Sequence, residues 1–134
     1  MNYWLVKSEP HKYSWEKFNK DGRTFWDGVR NYQARNNLRE MKEGDLVLYY
    51  HSNEGKAVVG IAKVAKEFYQ DPTTDDKNWV VVDLVPFETI KNPVTLETIK
   101  ADEQLKDVGL VRQGRLSVMG LKREDFDRII ELGS

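Results

Sequence analysis

Apolar positions fall into two periods along this chain. Tyr3–Lys7 (YWLVK), Asp45–Tyr50 (DLVLYY), Lys56–Tyr69 and Trp79–Glu88 (WVVVDLVPFE) are rich in aromatic and β-branched residues and end at turn residues, so each predicts a strand. Leu116–Met119 predicts a shorter one. Alternation along DLVLYY puts one of Tyr49 and Tyr50 inward and the other outward. Gly60 inside a strand predicts a bulge or a close backbone approach, and Pro86 an edge or a bulge. Helical spacing appears elsewhere. Ser14 caps a short helix over Trp15–Asn19, with Trp15 and Phe18 inward. Asn31 caps Tyr32–Lys42, whose inner face is Ala34, Leu38 and Met41, while Arg35, Asn36 and Arg39 lie on the outer face. Thr95 caps a short helix with Leu96 and Ile99 inward, and Lys122–Leu132 turns Phe126, Ile129 and Ile130 to the core.

That makes five or six strands and four helices, with no βαβ alternation. The pattern predicts an α+β fold: a mixed or antiparallel curved sheet, with closure into a small barrel as one option, and helices at its ends. At 134 residues the expectation is one domain over residues 1–134.

Composition narrows the function. There are no cysteines, which removes disulfides, cysteine nucleophiles and thiolate metal sites. No signal peptide or apolar run of membrane-spanning length is visible, so the expected location is cytoplasmic. The net charge is −1, so the chain cannot hold nucleic acid by bulk charge. The charge is uneven, however. Arg23, Arg30, Arg35 and Arg39 against Asp27 give a local +3, leaving −4 elsewhere.

Catalytic signals are sparse. The two histidines form no metal-binding motif, and there is no glycine-rich phosphate loop, so neither metal nor cofactor is expected. His51 ends a strand and reads either as a pocket residue or as a loop cap. Lys7-Ser8-Glu9 is the one acid–base cluster. A serine beside a lysine can be an activated nucleophile, but neighbours on a strand face opposite sides, and a strand-end serine more often donates a hydrogen bond.

The densest stretch is Phe25–Leu38 (FWDGVRNYQARNNL). Trp26 precedes the turn dipeptide Asp27-Gly28 and reads either as a core plug or as a stacking platform. Arg30 and Asn31 add a charged fork and an amide beside it. Asn reads base edges, and Arg contacts phosphate or stacks. The competing reading pairs Arg30 with a carboxylate such as Asp27 or Glu9. Trp4, Trp15 and Trp79 are assigned to the core.

YWLVKSEP (3–10), WDGVRNYQARNNLREMKEGD (26–45), YYHSN (49–53), YQDPT (69–73), PVTLETIKA (93–101) and LVRQGRLSV (110–118) resemble the EVE domain family of the PUA-like superfamily. The resemblance implies a PUA-like pseudo-barrel with flanking helices. It also implies a non-enzymatic module that takes one modified nucleobase, a modified cytosine in DNA above all, or a base in RNA. The related YTH domains have a Lys-Ser at the end of an early strand and a downstream tryptophan, similar to Lys7, Ser8 and Trp26 here. By that resemblance Trp26 stacks on the base, and Ser8, Glu9 and the backbone at Gly28-Val29 meet its polar edge. Arg30 and Asn31 complete the wall, and Tyr50, His51 and Ser52 line the far side. Arg35, Arg112 and Arg115 reach the nucleic-acid backbone. Family members commonly have a proline shortly after the RLSV stretch, whereas this chain has Met119-Gly120, which is expected to loosen that turn around Arg115. The rival implications are a hydrolase of small modified nucleosides working through Lys7, Ser8 and Glu9, or a small-metabolite sensor.

Overall fold

The computed structural model describes residues 1–134. Its strands are β1 (Tyr3–Ser8), β2 (Thr24–Phe25), β3 (Leu46–His51), β4 (Ala57–Gln70), β5 (Val80–Thr95) and β6 (Val118–Leu121). Its helices are α1 (Trp15–Asp21), α2 (Tyr32–Glu40), α3 (Leu96–Ala101), α4 (Gly109–Arg112) and α5 (Arg123–Leu132). One sheet runs in the order β2-β5-β4-β3-β1-β6. β1 pairs in parallel with β3, and every other pairing is antiparallel. The α+β class and mixed sheet are as expected, but the sheet does not close into a barrel: β2 and β6 are its two edges. No helix is long and apolar enough to cross a membrane.

The parallel pair positions everything that follows. A parallel neighbour cannot be reached by a tight turn, and the crossover here carries α1, β2 and α2. The C-terminal ends of β1 and β3 therefore lie side by side, with Lys7 opposite Tyr50 and Ser8 opposite His51. The crossover's segment between β2 and α2 is Trp26–Asn31.

Local caps start three helices as the sequence predicts. Ser14, Asn31 and Thr95 accept from the N–H groups of Lys17, Ala34 and Thr98. Ala34, Leu38 and Met41 are fully buried. Gly60 satisfies both expectations placed on it. The β4–β5 register shifts between Val58 and Gly60, and a Cβ there would stand 2.3 Å from the Trp15 ring. Pro86 sits at a second shift of that ladder.

Four expectations are corrected. Tyr49 and Tyr50 are both buried, because β3 is a central strand covered on both sides and its register with β4 slips between them. Tyr49 packs on Trp15, Phe18 and Trp26, while Tyr50 lines a small cleft with Leu96 and Leu110. Trp79 is only half-buried and stacks on Tyr32, not in the core. β5 continues through Thr95, well past Glu88, because β4 pairs with it as far back as Ala57. Gly120 loosens no turn: it lies in β6 opposite Trp4.

Candidate functional site

A cleft of about 670 Å³ opens where the ends of β1 and β3 meet the crossover. Its walls are Lys7, Ser8 and Glu9 from β1 and beyond, Lys12 and Tyr13 from the next loop, and Thr24–Val29. Ser52 and Asn53 follow β3, and Gly114 and Ser117 come from the turn before β6. That volume lies within the usual range for small-molecule sites.

Trp26 is both core and wall. It is 8% exposed and belongs to the main hydrophobic cluster. Its ring meets Tyr49 edge-on at 5.4 Å and Tyr13 at 6.4 Å. Its backbone N–H donates to the Val82 carbonyl at 2.9 Å, extending the short β2–β5 pairing by one residue. The indole N–H has no acceptor in the protein and is not sealed from solvent. The backbone N–H of buried Val29 likewise has no acceptor. Two residues of the cleft wall thus carry N–H donors with no partner in the protein. The exposed Asp27 carboxylate, also in the wall, accepts no hydrogen bond from the protein.

The Trp26–Asn31 segment is held from below by Asp71. Gly28 takes φ +77°, a conformation that favours glycine, and its N–H donates to Asp71 Oδ2 at 3.1 Å. Arg30 donates to the same oxygen at 3.0 Å and to the Val29 carbonyl at 3.1 Å. The Thr73 N–H and hydroxyl donate to Asp71 Oδ1. Burial alone would raise the pKa of Asp71, but these bonds, led by Thr73, outweigh it and hold the pKa at about 2. The carboxylate partner of Arg30 is thus neither Asp27 nor Glu9.

The β1 end is similarly committed. The Ser8 hydroxyl donates to the Tyr13 carbonyl at 2.8 Å, and the Tyr49 hydroxyl donates to the same oxygen at 2.7 Å. Lys7 Nζ donates to the Gly114 carbonyl at 2.8 Å, and partial burial lowers its pKa. Glu9 is paired with Lys12 at 3.1 Å and His11 at 3.5 Å, and it accepts from Asn53. The Lys12 hydrogen bond leads in lowering its pKa. No dyad joins Lys7 to Ser8.

Of the residues singled out by sequence, Lys7, Ser8, Glu9, Trp26, Gly28, Val29 and Ser52 line this cleft. The others stand outside it. Arg30 is turned toward Asp71, and Asn31 caps α2. Tyr50 faces the α3 and α4 side. His51 is the loop cap: its Nε2 accepts the Trp15 N–H at 3.0 Å, and burial lowers its pKa. Arg112 pairs with Asp107. Arg115 lines a smaller neighbouring cleft with Asn31 and Gln33, which shares Gly114 with the main one. Arg35 lies over the Tyr32 ring and donates to the Asn78 carbonyl. Sequence reasoning missed Tyr13, Asn53 and above all Asp71. Asp71-Pro72-Thr73 is a turn signature, but nothing in it points to Gly28.

The EVE domain model matches residues 2–132. Thymocyte nuclear protein 1 of Mus musculus is 38% identical, over 98% of this chain and 73% of that protein. A crystal structure of a protein from Agrobacterium tumefaciens is 44% identical with a TM-score of 0.98, covering 100% of this chain and 94% of that one. Human THYN1, solved in complex with DNA containing 5-methylcytosine, is 33% identical with a TM-score of 0.93, covering 100% and 98%. With its sequence matched almost from end to end and its fold shared with these relatives, this chain belongs to the EVE domain family.

Proposed function

We propose that this protein is a binding module that captures one modified nucleobase of DNA in the cleft beside Trp26, with 5-methylcytosine as the first candidate. The observation that carries the reading is a pair of donors without protein partners, the Trp26 indole N–H and the Val29 N–H, on residues that line a cleft with the free Asp27 carboxylate. Cytosine's pairing edge has two acceptors, O2 and N3, and one donor, the N4 amino group. Two donors and one acceptor complement it. A base reaches such a pocket only when extruded or single-stranded, and unstacking costs a few kcal/mol. Contact with Trp26 and the three hydrogen bonds offset that cost. The relative bound to 5-methylcytosine DNA supports the ligand class.

No observation favours hydrolysis. The Ser8 hydroxyl and the Glu9 carboxylate are spent on Tyr13 and on Lys12 and Asn53. The reading is tested by titrating Trp fluorescence with oligonucleotides carrying one central cytosine, 5-methylcytosine, 5-hydroxymethylcytosine or N6-methyladenine, as DNA and as RNA. The expected result is quenching that saturates at lowest concentration with 5-methylcytosine DNA. Equal curves for cytosine and 5-methylcytosine would overturn it, and tighter RNA binding would reassign the polymer.

A further inference from the structure

Three arginines near one face of α2 are each laid on an aromatic ring. The Arg30 guanidinium carbon lies 5.6 Å from the centre of the Trp79 ring, that of Arg35 5.0 Å from Tyr32, and that of Arg39 5.7 Å from Phe68. Tyr32 and Trp79 stack on each other, with centroids 5.1 Å apart and planes 29° apart. Contacts therefore run from Arg30 through Trp79 and Tyr32 to Arg35, and Arg39 continues the row one helical turn further on. Tyr32 is 59% exposed and Phe68 46%, so these rings contribute little to the core.

Arg30 is engaged by Asp71, Val29 and Thr73, but the Arg35 and Arg39 guanidinium groups are held without being used up. Arg35 donates to Asn36 Oδ1 through two nitrogens and to the Asn78 carbonyl through the third. That engages three of its five N–H groups. Arg39 has neither hydrogen bond nor ion pair, and Arg35 has no carboxylate partner. In a chain of net charge −1, this row is the centre of the local +3. It also joins the cleft directly, because Arg30 and Gly28 share one oxygen of Asp71.

We infer that this row is a phosphate track: the DNA backbone flanking the captured base runs along the outer face of α2, held by Arg35 and Arg39. The inference rests on the base-capture reading above. Stacked guanidinium groups have already lost much of their rotamer freedom, so little more is lost when phosphate binds. A few pre-set contacts can then serve a protein with no basic surface to spare.

The test is a salt titration of binding to duplexes with and without 5-methylcytosine. In R35A/R39A both duplexes are expected to bind more weakly by the same factor, roughly tenfold or more, with the slope of log K against log[salt] reduced by about two. The preference for the modified duplex stays unchanged. R39A alone, which removes only the contact with the exposed Phe68 ring and no hydrogen bond or ion pair, should reduce the slope by about one without touching the fold. R35K keeps the charge but loses the stacked fork, and is expected to keep the slope while losing several-fold in affinity. Wild-type affinity and slope in R35A/R39A would overturn the track and point to another partner, such as an acidic protein surface. Wild-type binding in R35K would overturn the role of the rings. If the wild type shows no preference for the modified base but the slope still falls in the variants, base capture fails and the track stands. Absence of DNA binding at low salt overturns both.

Discussion

The Gly28 N–H donates to Asp71 across 43 positions of sequence, at 3.1 Å, onto a carboxylate with no exposed surface. This bond and its partner from Arg30 fix the cleft wall to the start of the loop between β4 and β5. In Asp71→Asn the amide cannot accept as strongly from Gly28, Arg30 and Thr73 together. Breaking a buried charge pair typically costs about 3–5 kcal/mol, and Arg30, 40% exposed, recovers part of that from water. The expected loss is about 2 kcal/mol by urea unfolding, with weaker modified-base binding as well. A loss under about 0.5 kcal/mol, the usual range for a surface change, would mean that the segment is held by other contacts.

Asp71 also predicts a pH dependence. Its pKa is about 2 in the folded protein, below the ordinary 3.8. Between those values the unfolded chain binds more protons than the folded one, so stability rises with pH there. The contribution is full above about pH 5 and is lost as pH falls through 3.8 toward 2. The stability gap between wild type and Asp71→Asn should therefore narrow from pH 7 to pH 3. A gap that stays constant would show that the carboxylate's charge is not what matters.

Gly60→Ala would bring a methyl group to 2.3 Å from Cε2 and Cζ2 of the Trp15 ring and to 2.5 Å from Cη2. The ring is also held by a 3.0 Å hydrogen bond from its indole N–H to Thr89, so it cannot simply swing away. Overpacking of this kind costs about 1–3 kcal/mol. In a Trp15→Leu background the same alanine should cost much less, and a double-mutant cycle on thermal or urea unfolding measures the coupling. Additive losses would show that the glycine is needed for its backbone and not for the ring.

Trp26→Ala confuses two effects. Removing this buried ring should cost about 3–5 kcal/mol of stability. Trp26→Phe keeps most of the packing on Tyr49 and Tyr13 but removes the unspent N–H. A hydrogen bond is worth about 0.5–1.5 kcal/mol, so the expected effect is a roughly three- to tenfold loss for 5-methylcytosine DNA with stability nearly kept. Unchanged affinity, read by calorimetry because the fluorophore is altered, would remove that donor from the proposed set.

What the sequence made legible was local. Ser14, Asn31 and Thr95 cap their helices because a cap is decided within four residues. Gly60 and Pro86 mark irregularities of the ladder for equally local reasons. The motifs place the β1 end and Trp26 together, and both line one cleft. Long-range partners were hidden. Nothing around Asp71 indicates Gly28, and nothing around His51 indicates the Trp15 N–H that it accepts. Trp79 reads as core from its apolar run, but it sits at the mouth of β5, where a ring can be covered by Tyr32 and Arg30 in place of the interior. Burial of both Tyr49 and Tyr50 depends on β3 being central, which only the strand order decides.

The double membership of Trp26, in the core cluster and in the cleft wall, constrains anyone who would redesign the ligand preference of this protein. A library randomised at Trp26 would be filtered for folding before it was filtered for binding, and most of its members would never reach the assay. Asp27 and Asn53 line the same cleft, are exposed, and lie outside the core cluster. Variation at Asp27 leaves the frame intact, whereas Asn53 holds φ +68° and donates to Glu9, so new specificities are best sought at Asp27, with the tryptophan left as a fixed floor.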